Sequence, residues 1–145
     1  MNTSLEQSKK LIEVGIDINT ADMFYADILV NDEHKYIIHP LESYGFKTFK
    51  DTKGRESAKL KFIPAWSLSA LLDLMPKVIS IMVSEDAAYR YELEWQFAND
   101  NSIRYVGSDR KCLIDIYSDH DDDKWKDLID TAFEMVCWLK ENGKI

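Results

Sequence analysis

The stretch YRYELEWQF, residues Tyr89–Phe97, alternates without a break. Tyr89, Tyr91, Leu93, Trp95 and Phe97 point one way, and Arg90, Glu92, Glu94 and Gln96 point the other. Such alternation belongs to a strand with one apolar and one solvated face. Its neighbours restrict the topology further. ANDN, SIRYV, GSDR and KCLIDIY follow in order, a turn cluster before each short strand, and the β-branched run KVISIMV precedes it. Turns this short join antiparallel strands, because a parallel crossover needs about a dozen residues or more. This part of the chain therefore predicts an antiparallel sheet with one polar side.

Helices flank these strands. In DDDKWKDLIDTAFEMVCWLKENG, residues Trp125, Leu128, Ile129, Ala132, Phe133, Val136 and Leu139 share one helical face. Asp121–Asp123 stand where the helix dipole favours negative charge, and Gly143 stands where the helix should stop. At the other end, Thr3 and Glu6 have capping-box spacing, and Gly15 is placed to end a short amphipathic helix carrying Leu5, Leu11, Ile12 and Val14. In PAWSLSALLDLMP, Ser67 is the expected N-cap, Trp66 and Leu71 have the spacing of a hydrophobic staple, and Leu68, Leu71, Leu72 and Met75 form one apolar face between Pro64 and Pro76. That segment reads as a core helix of about three turns, far too short to cross a bilayer.

The remaining signals are weaker. Asn19 or Thr20 is placed to cap a single turn carrying Met23, Phe24 and Tyr25. KYIIHP reads as a strand stopped by Pro40, GFKTFK is a candidate for another, and DTKGRES reads as a turn or mobile loop pivoting at Gly54. AKLKFIP alternates up to Pro64. With 145 residues and no repeat or linker, the expectation is a single α+β domain over 1–145, with helices packed on one face of a mainly antiparallel sheet and a long C-terminal helix.

Charge limits the partners. Eighteen basic and 26 acidic residues give a formal net charge of -8, which disfavours nucleic-acid phosphates and anionic membranes. The N-terminus lacks the apolar core of a signal peptide, and a cytoplasmic location is the default. Cys112 and Cys137 have neither CxxC nor zinc-ligand spacing and read as two buried free thiols.

Candidate chemistry is sparse. Asp119, Asp121, Asp123 and Asp130 match positions of a calcium loop, but Lys124 replaces its turning glycine and Asp130 its bidentate glutamate, so an acidic helix start is the better account. His34, His39 and His120 have no ligand partner at helical spacing and read as ordinary surface histidines. Ser43, His39 and Asp51 make a triad on paper only, with no nucleophile elbow to position it. No glycine-rich phosphate loop is present, and no cofactor or metal is expected. Two surfaces deserve a function. One is Trp138 with Glu134 and Asp127, off the apolar stripe of the last helix, where an interface or a covering segment would account for the tryptophan. The other is the polar sheet face with Arg90, Glu92, Glu94, Arg104 and Asp115.

Three segments, GIDINTADMFY, IPAWSLSALLDLMP and DTAFEMVCWLKENGK, together resemble a family of small uncharacterised proteins from bacterial genomes and prophage-like elements. The resemblance implies an accessory protein of a mobile element in a bacterial cytoplasm, and it carries over no catalytic or binding residue. The expectation is a non-enzymatic interaction protein that binds an unknown protein partner or a second copy of itself. The alternatives are a small-ligand binder or enzyme using the polar sheet face, and an acidic nucleic-acid mimic.

Overall fold

Asn31 and Asp32 both sit at positive φ, 52° and 63°. Positive φ at two successive residues matches the right-handed twist of paired strands, and Asn and Asp tolerate it better than most side chains. The two residues close a hairpin between β1 (Met23–Val30) and β2 (Glu33–Pro40). β3 (Leu60–Ala65) pairs with the other edge of β1, giving an antiparallel sheet of order β2-β1-β3. The computed structural model describes residues 1–97, 101–118 and 127–145. The chain divides into two compact units, Met1–Leu71 and Leu72–Ile145, each with its own sheet.

In the first unit, the helix expected to begin at Thr3 starts one residue later. Thr3 is fully buried and already bonded: its N–H donates to the Trp66 carbonyl, its Oγ1 accepts the Trp66 N–H, and it shares a hydrogen bond with Ser8 Oγ. Ser4 therefore caps α1 (Leu5–Glu13), in a reciprocal box with Gln7 rather than Glu6. Gly15 ends the helix at φ 88°, as its position suggests, with Ile16 N–H donating back to the Leu11 carbonyl.

The segment Met23–Tyr25 is strand rather than the capped turn expected from Asn19 or Thr20. The turn that does form, Ile18–Thr20, is capped by Asp17. Pro64 lies within β3 rather than ending it, since an edge strand tolerates a missing N–H. Ser67 caps α2 (Leu68–Asp73), accepting the Ala70 N–H, while Asp22 accepts both the N–H and the hydroxyl of Ser67. Trp66 and Leu71 are fully buried, as the staple spacing requires. The helix is six residues long, shorter than the interval between its flanking prolines suggested, and Met75 is buried beyond its end. GFKTFK and DTKGRES form no strand and no simple loop. Gly45 at φ 73° ends the short turn Glu42–Tyr44, and a 3-10 helix then runs Phe49–Arg55. Asp51 accepts the N–H groups of Lys47 and Thr48 at its start, and Gly54 needs no left-handed φ.

The second unit follows its turn signals. β4 (Val78–Met82), β5 (Ala88–Gln96), β6 (Asn101–Gly107) and β7 (Cys112–Ser118) form an antiparallel meander of order β4-β5-β6-β7. α3 (Leu128–Glu141) packs on β6 and β7 and buries Ile129, Ala132, Met135, Val136 and Leu139. Asp127 is its N-cap, in a reciprocal box with Asp130. Lys144 N–H returns to the Leu139 carbonyl past Gly143 at φ 64°. The aspartates Asp119, Asp121 and Asp123, with His120, Lys124 and Trp125, lie outside the described residues. The fold is α+β as predicted, with the strands in two sheets rather than one.

The apolar face expected of β5 is mostly exposed: Tyr91 and Leu93 are half-buried, while Tyr89, Trp95 and Phe97 are exposed. β6 ends at Gly107, opposite Tyr91, and β4 begins at Val78, opposite Glu92. Tyr89 therefore projects beyond one neighbouring strand and Trp95 beyond the other, and they are 61% and 51% exposed. Alternation places a side chain on a face, but only the lengths of the neighbouring strands decide whether that face is covered.

Candidate functional site

Strand register sets the polar face of the four-stranded sheet. Glu94 stands opposite Arg104, and Arg104 opposite Asp115, in one row across three strands. Arg90 and Glu92 precede Glu94 at two-residue steps, so all five residues singled out from the sequence share this face. Arg104 Nη2 donates to Glu94 Oε2 at 3.1 Å. A sixth residue completes the cluster: Arg110 donates to Glu94 Oε1 at 2.9 Å. It comes from the β6–β7 turn, where its own φ is 65°. Ser102 Oγ donates to Asp115 at 2.9 Å.

These contacts settle the protonation of Glu94. Hydrogen bonding from Arg110 lowers its pKa below the usual carboxylate range, with Arg104 adding to the effect and partial burial opposing it. Arg110 is correspondingly held more firmly in its charged form by Glu94. A carboxylate kept ionised between two guanidiniums is a poor proton donor at neutral pH. Three arginines face three carboxylates across this surface, so it is charge-balanced within a chain of net charge -8. Sequence reasoning missed Arg110 because GSDR signals a turn without saying where its last side chain will reach.

The α3 group is less open than its helical wheel suggested. Trp138 and Glu134 are half-buried, and the intervening Thr131 is fully buried. Asp127 is exposed but acts as the helix cap. Trp138 and Glu134 are thus partly covered, while Asp127 serves the start of α3. Cys112 lies on a strand and Cys137 on a helix, as expected, and no disulfide joins them. Cys112 is exposed and Cys137 half-buried, in place of the two buried thiols predicted. The paper triad does not stand as drawn, because Asp51 caps backbone N–H groups.

The first unit contains a cavity that sequence reasoning did not anticipate. Phe24, Ala26 and Ile28 project from one face of β1, with Leu60 and Phe62 beside them on β3. Tyr44, Phe46 and Arg55, from the segment after β2, complete the walls of a space of about 250 Å³. Phe24 and Phe62 meet edge to face at 5.1 Å, and Tyr44 and Phe46 lie nearly parallel at 6.3 Å. His39 stands edge-on to Tyr44 at 4.9 Å, so it belongs to this cluster rather than to open surface. His34 is exposed and bonds Asp27 at 2.7 Å. The available signal was MFYADILV, apolar at both odd and even positions apart from Asp27, the pattern of a strand covered on both faces. Among the described residues, no helix is long and apolar enough to cross a membrane. Comparison of the chain with known protein families, curated proteins and solved structures finds no match.

Proposed function

We propose that the chain is a non-enzymatic protein-interaction module that docks through its four-stranded sheet. One observation carries this reading: Trp95 and Phe97 stack nearly parallel at 6.4 Å while remaining 51% and 38% exposed. Exposed stacked aromatic side chains are the composition of an interface centre, where Trp and Tyr carry much of the binding energy. The Glu94–Arg104–Arg110 cluster lies on the opposite face of β5, and its charges are already paired with one another. The same pairing weighs against acid–base catalysis by Glu94. The partner is a protein surface, with a second copy of the chain included. An accessory role in a bacterial mobile element rests on the sequence resemblance alone.

Sedimentation velocity over a range of concentrations, alongside affinity capture from a bacterial extract, tests the proposal. Trp95→Ser should abolish self-association or capture without altering the far-ultraviolet circular dichroism. A strict monomer, with Trp95→Ser indistinguishable from the native chain in both assays, would refute it.

A further inference from the structure

We propose that the aromatic cavity of the first unit binds a small aromatic carboxylate, with the ring inside and the carboxylate on Arg55. None of the residues involved belongs to the sheet interface described above.

Size limits the ligand first. A space of about 250 Å³ exceeds the roughly 150 Å³ cavity that accommodates benzene, so one ring or two fused rings fit. The walls select its character. Phe24, Phe46 and Phe62 approach one another through edges and tilted faces at 5.1–6.4 Å. A planar ring gains edge-to-face and offset-stacked contacts from such walls that an aliphatic chain does not. Tyr44 is half exposed and forms an outer wall, which leaves the cavity reachable from solvent.

Charge then selects the polar group. Arg55 contributes the one formally charged side chain of the lining, its guanidinium 5.6 Å from the centre of the Phe46 ring. Among the described residues, no carboxylate lies within 4.0 Å of it. Aromatic walls alone would also suit an organic cation. Arg55 excludes that class, because it repels a second positive charge and already occupies a ring face. A planar guanidinium pairs instead with a carboxylate, through two parallel N–H···O bonds.

The test is an NMR titration of the full chain with 2-naphthoate, following the Phe24, Phe46 and Phe62 ring signals and the Arg55 side-chain N–H. Saturable shifts at these groups are expected. The neutral 2-naphthalenemethanol should bind more weakly, and benzyltrimethylammonium should leave the signals in place. Arg55→Gln should weaken naphthoate about tenfold and change the alcohol by less than about twofold. Tyr44→Ala, at a half-exposed wall, should weaken both ligands. Either no saturable shift with naphthoate, equal losses for acid and alcohol in Arg55→Gln, or tighter binding of the cation overturns the proposal.

Discussion

The two antiparallel sheets of this chain place their polarity differently. In the three-stranded sheet, β1 is central and half-buried or buried at every position except Val30. α1 lies against β3, and Tyr25, on the opposite face of β1 from Phe24, donates its hydroxyl to the Thr3 carbonyl. The other face of β1 carries the aromatic cavity. In the four-stranded sheet, α3 packs on β6 and β7, and the polar face of β5 holds Glu94 between two arginines. The contrast separates two kinds of cohesion. The first sheet buries or half-buries both faces of its central strand, while the second carries a row of arginine–carboxylate ion pairs across one face. Substitutions should therefore weigh very differently in the two.

The largest effect belongs to the first unit. Trp66 is fully buried, and its Nε1 donates to Thr20 Oγ1 at 3.0 Å. Trp66→Ala should cost about 3–5 kcal/mol in chemical denaturation, by loss of burial and creation of a cavity. A loss below about 1 kcal/mol would show that the site collapses freely and would break the contrast.

Next comes Tyr105 on β6. It is buried, its hydroxyl donates to the Pro76 carbonyl at 2.7 Å, and burial pushes its pKa up to about 12. A phenol that stays neutral above its ordinary pKa stabilises the fold fully below that value, near pH 10, and the contribution is lost as pH rises through 12. The loss should approach about 2–3 kcal/mol, read by stability measurements at stepped alkaline pH. Tyr105→Phe should remove this component of the alkaline loss. An ultraviolet titration in which Tyr105 ionises together with the exposed tyrosines would contradict it.

A smaller effect is expected at the α2 cap. Ser67→Ala removes the acceptor for the Ala70 N–H and a donor to Asp22, and should cost about 1 kcal/mol. Ser67→Asp, which restores an acceptor but faces Asp22, should recover less than Ser67→Asn.

The smallest change in stability is expected at Arg110. Exposed ion pairs contribute little, so Arg110→Ala should leave the unfolding midpoint nearly unchanged. It should still raise the pKa of Glu94, read by carbon-detected NMR. Because that pKa is lowered in the native chain, the ion pair's contribution is present above the ordinary carboxylate range and fades as pH falls through the lowered value. A Glu94 titration unmoved by Arg110→Ala would mean that Arg104 alone sets it.

The same contrast explains which parts of the fold were legible. The meander around β5 announces itself because one face meets water, which imposes alternation on Arg90, Glu92 and Glu94. β1 does not, since Phe24 and Ala26 are buried on one side while Tyr25 bonds Thr3 on the other. Asn31–Asp32, a turn without glycine, concealed the hairpin. Thr3 looked like a cap and is a buried bridge to Trp66, a contact between residues 63 apart that no local pattern records.

The sequence by itself determined the antiparallel meander, the stops at Gly15 and Gly143, the cap at Ser67 and the five residues of the polar face. These depend on backbone preferences and side-chain periods, which act within a few residues. Only the tertiary structure decided that the strands divide between two sheets, that Arg110 joins Glu94, that Tyr89 and Trp95 outreach neighbouring strands, and that Tyr44, Phe46 and Arg55 complete a cavity over β1. Each of these depends on where segments distant in sequence end relative to one another, and strand length and loop path fix that only after the chain has folded.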